Sequence, residues 1–523
     1  MGITIGGARA GRMLALLAMA GLVGTGGCAA RVVLGEPNRG LLNHAIFISS
    51  DGTPALIYDD NGHSLSTSRL VDAAERKGFQ IPILPPDTVT YLNALERDRV
   101  LNYSYQAYVH HLVRSLLASR SHRVVLYIHG GRNTLAGSLD NATDIVSKIA
   151  EDSRDLPPEA RPYPILIAYE SGDLSSYLEH LRNPRPERRN VLEQAYTLLR
   201  PPVRMIADCG AGAARCPLTL YQEIAREYSA VGADSRTTTS DFFCRDSLRI
   251  AYGGFEESGV RRATSLAYGL ATSPLRLAFG LLIATAAPGE WESMRRRSES
   301  ALRPPDEFSR DHWGDVYSPA SGAVGILLDS LSTALGDSIK VTLISHSTGA
   351  IVACEILRLE PQWQCDNIVF MAAACTVREF ESAVLPYLRT HPTTRFFNLC
   401  LHPVAELRET FMPIVGPAVY RGSLLTWIDD YLDTPLGPVD RTMGRAENCL
   451  AAQHGWREAR SRIYLRIFDY HPSRQDSSSA TNPHVKRHSQ FGEARLKFWE
   501  ERFWWPTAGV ASTGAAPPNK RPN

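Results

Sequence analysis

The strongest chemical signal in the sequence is Ser347, a serine that stands between small residues. It is the central residue of the pentapeptide Ser345–Gly349, between a β-branched apolar run and an apolar helical pattern that begins at Ala350. Small residues two positions before and after a serine permit a tight strand-to-helix turn that exposes the hydroxyl. The helix start also directs backbone N–H groups at any oxyanion that forms there. We therefore predict Ser347 as a nucleophile and the N–H of Thr348 as an oxyanion donor.

A second element with a chemical meaning is His129-Gly130-Gly131, which closes the apolar run that starts at Val124. Glycine lets the backbone N–H approach a bound substrate closely. We predict Gly131 as the other oxyanion donor, with Gly130 as the next choice. The alternative is a glycine turn that only ends a strand.

A serine hydroxyl needs a neighbouring base to take its proton. His488 follows the last apolar run and precedes a predicted helix, Glu493 to Phe503, which makes it the predicted base. His484 lies four residues earlier and stays an alternative. His471 is closer to the end of the apolar run and ranks below both.

The acid that orients such a histidine is expected between the serine and the histidine, after the apolar run of residues 396–401. Glu406 stands in that place, and Glu409 is the alternative one helical turn later. A glutamate at a helix start is also explained by the helix dipole alone, so this interpretation stays open. The lower-ranked candidates are Asp429, Asp430 and Asp440.

The elements that must position these residues have the pattern of a layered α/β fold. Apolar, β-branched runs with the length of buried strands alternate with segments of helical spacing. The runs cover residues 44–49, 55–60, 124–129, 163–169, 341–345, 367–374, 396–401 and 463–468, and the helical segments 102–117, 140–150 and 350–357. This alternation predicts a mostly parallel central sheet with right-handed crossovers, flanked by helices. It is lost over residues 171–336, which we predict as a large, mostly helical insertion.

The order of these motifs resembles the α/β-hydrolase superfamily, in particular its bacterial lipases and esterases. The resemblance extends from about Val124 to Trp505 and excludes the insertion. It implies the α/β-hydrolase fold, divided into parts at 29–170 and 337–506, and hydrolysis of carboxylic esters by a Ser-His-Glu triad through an acyl-enzyme. It implies no metal and no organic cofactor. Two departures are Ser345, where the family has glycine, and a glutamate in place of aspartate.

Residues 1–28 have the features of an export signal. A basic start with Arg9 and Arg12 precedes an apolar stretch that is too short to span a bilayer comfortably. The small residues before Cys28 resemble a bacterial lipoprotein processing site, at which this cysteine would carry the lipid. We therefore expect a lipid-anchored protein of the bacterial cell envelope, outside the cytoplasm, with ordinary secretion and a retained anchor helix as the alternatives.

The expected partner is a hydrophobic ester or a lipid at a membrane surface. With 56 Lys+Arg, 55 Asp+Glu and a net charge of +1, nothing favours nucleic acid. The apolar residues 266–287 of the insertion fit helices packed over the site, a membrane-dipping surface or a span.

The competing class is a non-catalytic envelope lipoprotein that uses the fold as a binding scaffold. Residues 507–523 are predicted to be disordered.

The nine cysteines show no spacing typical of zinc sites. Cys354, Cys375 and Cys400 lie in apolar runs and are predicted as core residues. Cys209 and Cys216 are close enough in sequence for a local disulfide.

Overall fold

The computed structural model describes most of the predicted sheet and its connections. The described residues are 31–34, 36–48, 55–58, 94–131, 135–169, 249–252, 322–336, 338–409, 422–433, 435, 437–470 and 485–505, with single residues and short pieces between 210 and 302. Several features predicted from the sequence lie outside these residues. These are the export signal with Cys28, the candidates His471 and His484, the pair Cys209 and Cys216, and the tail 507–523.

Among the described residues, eight parallel strands form one sheet at the core. Its strands are β2 (Ala45–Ile48), β4 (Arg123–Ile128), β5 (Pro162–Tyr169), β6 (Arg249–Tyr252), β7 (Lys340–His346), β8 (Asn367–Met371), β9 (Arg395–Cys400) and β10 (Ile463–Ile467). They lie in the order β2-β5-β4-β7-β8-β9-β10-β6, and each neighbouring pair is parallel. Consecutive residues of the central strands are buried, as expected for strands covered on both faces. The α/β architecture therefore agrees with the alternation in the sequence.

Helices connect and flank these strands. They are α1 (Ala94–Ser119), α2 (Leu135–Asp152), α3 (Ala323–Ala334), α4 (Gly349–Leu359), α5 (Val377–Thr390), α6 (Pro403–Arg408), α7 (Leu424–Trp427), α8 (Ala446–Ala452) and α9 (Glu501–Trp504). A capping box starts α5, because the Thr376 hydroxyl accepts from the Glu379 N–H while the Glu379 carboxylate accepts from the Thr376 N–H. The hydroxyl of Tyr105 on α1 donates to the carbonyl of Ala323 at 2.8 Å, which joins α1 to α3.

The structure adds to the predicted strands in two places. β6 comes from within residues 171–336 and pairs with β10 at one edge of the main sheet. β3 (Leu56–Tyr58), predicted as an opening strand, instead pairs with β1 (Arg31–Val33) in a separate two-stranded sheet. The strands β1, β3 and β6 have only three or four residues each, which is below the length at which periodicity is informative.

The predicted helix from Glu493 to Phe503 is wrong over most of its length. The chain makes a 3₁₀ turn at Ala494–Leu496, Lys497 then adopts a φ of +52°, which no α-helix continues, and the short helix α9 begins only at Glu501. The aromatic residues of this segment are all buried: Phe498, Trp499, Phe503 and Trp504. In one α-helix these four side chains would spread around most of its circumference, so burial of all of them favours the irregular path.

Among the described residues, no helix combines the length and the apolar character needed to cross a bilayer. Of the apolar residues 266–287, only 267–275 are described.

Candidate active site

Ser347 lies in a strained turn at the carboxyl end of β7. Its φ is +53°, a conformation that costs a non-glycine residue about 1–3 kcal/mol. Two backbone hydrogen bonds hold it there: the Ser347 N–H donates to the Met371 carbonyl at 3.0 Å, and the Ser347 carbonyl accepts from the Ala374 N–H at 2.9 Å. The end of the neighbouring strand β8 thus fixes the turn that presents the hydroxyl.

The glycine two residues after Ser347 is required by a close approach of the backbone. A Cβ at Gly349 would lie 2.6 Å from the Ile128 carbonyl oxygen and 2.7 Å from that of His129. Ser345, which stands in the place of the other small residue, is fully buried, and its hydroxyl has no hydrogen-bond partner. The turn therefore accommodates serine at the first position but only glycine at the second.

We predict that Gly349→Ala destabilises the protein by about 1–3 kcal/mol, because β4 or α4 must shift to admit the methyl group. Thermal unfolding measures this loss of stability. Gly336→Ala is the matched control, since a Cβ there meets nothing within 4 Å. Equal behaviour of the two variants would contradict the packing argument.

The predicted base, His488, reaches the predicted nucleophile. The Nε2 atom of His488 lies 2.9 Å from the Ser347 Oγ. When Nε2 accepts the hydroxyl proton, the proton of the neutral ring is on Nδ1, which is buried without a hydrogen-bond partner. Burial, with a smaller contribution from His346, lowers the pKa of His488 well below 6.5. The ring is therefore neutral at pH 7 and able to accept a proton from Ser347.

Two groups fix the backbone of His488 from opposite sides. Its N–H donates to the Glu409 Oε2 at 2.9 Å. Its carbonyl accepts from the Nε2 of His346 at 3.0 Å, which assigns the proton of His346 to that nitrogen. Burial lowers the pKa of His346 to about 4, so this histidine stays a neutral donor at pH 7.

The two candidate acids have different surroundings. Glu406 is fully buried, its Oε2 accepts from the Ser423 hydroxyl, and its Oε1 has no partner. Burial and then repulsion from Glu409 raise the pKa of Glu406 to about 8. Burial raises the pKa of Glu409 to about 7, against the opposing effects of the His488 N–H and of Arg487. The alternative candidate, Glu409, is thus the carboxylate in contact with His488, although neither carboxylate bonds to its Nδ1.

The lower-ranked aspartates belong to other contacts. Asp429 forms a buried ion pair with Arg445 at 2.9 Å, and Asp440 pairs with Arg378 at 2.7 Å. Asp430 is buried beside Asp429 in the turn that follows α7.

The predicted oxyanion residues lie against the nucleophile. A Cβ at Gly130 would lie 3.0 Å from the Cβ of Ser347, and one at Gly131 would lie 2.6 Å from the Oγ1 of Thr348. The same Oγ1 is 2.6 Å from the hydroxyl of Tyr169. The glycine loop and the start of α4 therefore meet at Ser347. No pattern in the sequence pointed to Tyr169, which is simply the last residue of an apolar run.

Side chains from the predicted insertion cover this arrangement. Ser347 is only 2 % exposed. The Sδ of Met294 lies 2.8 Å from the position that a Cβ of Gly131 would take. Next to it, Arg295 forms ion pairs with Glu379 at 2.5 Å and with Asp433 at 3.3 Å. The side chain of Met294 therefore packs against the glycine loop beside the buried Ser347.

In the part of the chain that the structure describes, no group of three or more His, Cys, Asp and Glu side chains is arranged to hold a metal ion. The predicted core cysteines Cys354, Cys375 and Cys400 are buried free thiols.

Comparisons of the chain with family models, curated proteins and solved structures find no match.

Proposed function

We propose that this protein is a serine hydrolase of the α/β-hydrolase superfamily that cleaves carboxylic esters through an acyl-enzyme. The observation that carries the proposal is the 2.9 Å contact between His488 Nε2 and the Oγ of Ser347, a serine whose backbone is held at positive φ. Backbone strain of this kind is found mainly at functional sites, where it holds a side chain in a required orientation. A parallel sheet whose strand ends bear the serine, the glycine loop and the acid loop supports the same superfamily.

The residues have complementary roles in this reaction. His488 takes the proton of Ser347 as the Oγ attacks the ester carbonyl. The N–H groups of Gly131 and Thr348 hold the oxyanion of the tetrahedral intermediate. His488 then protonates the leaving alcohol, and a water activated by the same ring releases the carboxylic acid.

We propose Glu409 as the acid of this triad in place of Glu406. Its Oε2 accepts from the His488 backbone N–H, and its negative charge beside that residue would stabilise the imidazolium form in the transition state. The Oε2 of Glu406 is already bonded to Ser423 and its pKa of about 8 favours the neutral form at pH 7.

The proposed substrate is a lipid or another hydrophobic ester at a membrane surface. Several apolar side chains of the insertion are exposed, including Val260 (74 %), Leu270 (47 %) and Leu275 (51 %). Between Glu257 and Glu290 the sequence has three arginines and no acidic residue, which suits a surface of anionic lipid headgroups. An envelope location with a lipid on Cys28 belongs to the same proposal.

A panel of p-nitrophenyl esters with short and long acyl chains tests the function. We expect the purified protein to release nitrophenolate, with an initial burst from acyl-enzyme formation and higher rates on aggregated long-chain esters than on dispersed short ones. A non-catalytic binding scaffold, the alternative function, predicts no release above the buffer rate for any ester. That result with folded protein would refute the proposal.

A further inference from the structure

Both ring nitrogens of His129, the residue before the two glycines, have defined partners. Its Nε2 accepts from the backbone N–H of Tyr169 at 3.0 Å, and the Ser138 hydroxyl lies 3.2 Å from the same nitrogen. Because an accepting nitrogen carries no proton, the proton of the neutral ring is on Nδ1. Nδ1 therefore donates to the Gly130 carbonyl, at 2.6 Å.

The bond to the Gly130 carbonyl determines where the next N–H points. In the trans peptide unit between Gly130 and Gly131, the carbonyl and the N–H point in opposite directions. With the carbonyl bound to His129, the Gly131 N–H points away from the imidazole ring. The two glycines are also packed on Ser347 and Thr348, so the peptide is oriented next to the reacting hydroxyl.

We infer that His129 is a positioning residue that fixes the Gly130–Gly131 peptide and so orients the N–H of Gly131 towards the oxyanion. The catalytic part of this inference rests on the proposed function, whereas the ring orientation does not. A peptide between two glycines rotates easily when nothing holds it. The hydrogen bond from His129 therefore provides the preorganisation that oxyanion stabilisation requires.

Tyr169 links this peptide to the second oxyanion residue. Its ring stacks on that of His129, with centroids 4.8 Å apart and planes at 14°. Its hydroxyl is 2.6 Å from the Oγ1 of Thr348. One side chain thus packs against the groups that hold both proposed donors.

Two substitutions of His129 separate the hydrogen bond from packing. His129→Leu removes the donor, whereas in His129→Asn the amide can still donate from about the position of Nδ1. We expect the leucine variant to lose about 100- to 1,000-fold in kcat with little change in KM, as when one oxyanion donor is removed. The asparagine variant should recover most of that loss. Equal losses in the two variants, or an unchanged kcat in the leucine variant, would overturn the inference.

A trifluoromethyl ketone gives a readout that general damage to the fold would not produce. It adds to a serine as a tetrahedral oxyanion, so its inhibition constant should rise across the variants by the same factor as kcat/KM falls. Thermal unfolding checks that the variants remain folded. Ser138→Ala is the control, because the Tyr169 N–H still fixes the tautomer, and we expect near-wild-type constants. An inhibition constant that does not rise as kcat/KM falls would contradict the positioning role of His129.

The tautomer itself can be measured in the full-length protein whether or not it hydrolyses esters. In ¹⁵N-histidine-labelled protein, with His129 assigned by substitution, we expect the Nδ1–H form from pH 6 to pH 8, because burial lowers the pKa of His129 to about 4. An Nε2–H or charged ring would refute the positioning role. Absence of esterase activity alongside an Nδ1–H ring would instead refute the proposed function.

Discussion

Replacing His488 with alanine should lower kcat by about 10,000- to 1,000,000-fold, because no other base contacts the Oγ of Ser347 among the described residues. Without the base, the serine must lose its proton to water. The residual rate should come from substrate binding and the oxyanion donors, so KM should change far less than kcat. Steady-state hydrolysis of a p-nitrophenyl ester provides both constants.

The control for this loss is His110→Ala. His110 is exposed on α1 and should be replaceable without a change in kcat or in thermal unfolding. A His488→Ala variant that keeps more than a tenth of the wild-type kcat would show that another residue acts as the base.

Glu409→Gln should lower kcat by about 100- to 1,000-fold, as expected for the loss of one nearby charge worth about 3 kcal/mol. Glutamine keeps the size of the side chain, and its amide oxygen can still accept from the His488 N–H, so the substitution chiefly removes the negative charge. That charge stabilises the imidazolium that forms when His488 takes the proton of Ser347. Glu406→Gln is the matched control in the same loop, and we expect it to change kcat by less than about 10-fold. The reverse ranking would identify Glu406 as the acid.

The pH dependence of kcat/KM should follow the same carboxylate. Burial raises the pKa of Glu409 to about 7, so the group is charged above this pH and neutral below it. Since the charged form is the active one, kcat/KM should fall as the pH drops below about 7. His488 has a pKa well below 6.5 and should not cause this fall of kcat/KM. Glu409→Gln should abolish the fall, and its persistence in that variant would assign the titration to another group.

The sequence was informative where the chemistry depends on local backbone geometry. A nucleophile turn needs small residues at fixed distances from the serine, so Ser347 could be predicted from a few residues and the strand before them. The buried strands were equally visible, because parallel strands covered on both faces are continuous apolar runs. The position of His488 followed from the order of the strands alone.

Which of the two glutamates contacts His488 could not be predicted, because it depends on where a short helix ends. Glu406 and Glu409 are three residues apart and would share a face if the helix continued. α6 instead ends at Arg408, and Glu409 has an extended backbone with a ψ of 145°. That change of direction places Glu409 at His488 and leaves Glu406 beside Ser423.

Contacts between distant segments had no local signal either. The role of His129 depends on the Tyr169 backbone 40 residues later, and the cover over Gly131 depends on Met294. The path of the aromatic C-terminal segment is set by burial against the sheet, where the guanidinium of Arg466 binds the carbonyls of Arg502 and Phe503.

Labelling with a fluorophosphonate, followed by mass spectrometry of the modified peptide, tests the central claim most directly. An activated serine should carry the adduct, and we expect it on Ser347 in the wild type. Ser347→Ala should stay folded and unlabelled, while Ser345→Ala, two residues earlier in the same turn, should label as the wild type does. Undiminished labelling of folded Ser347→Ala would show that Ser347 is not the nucleophile.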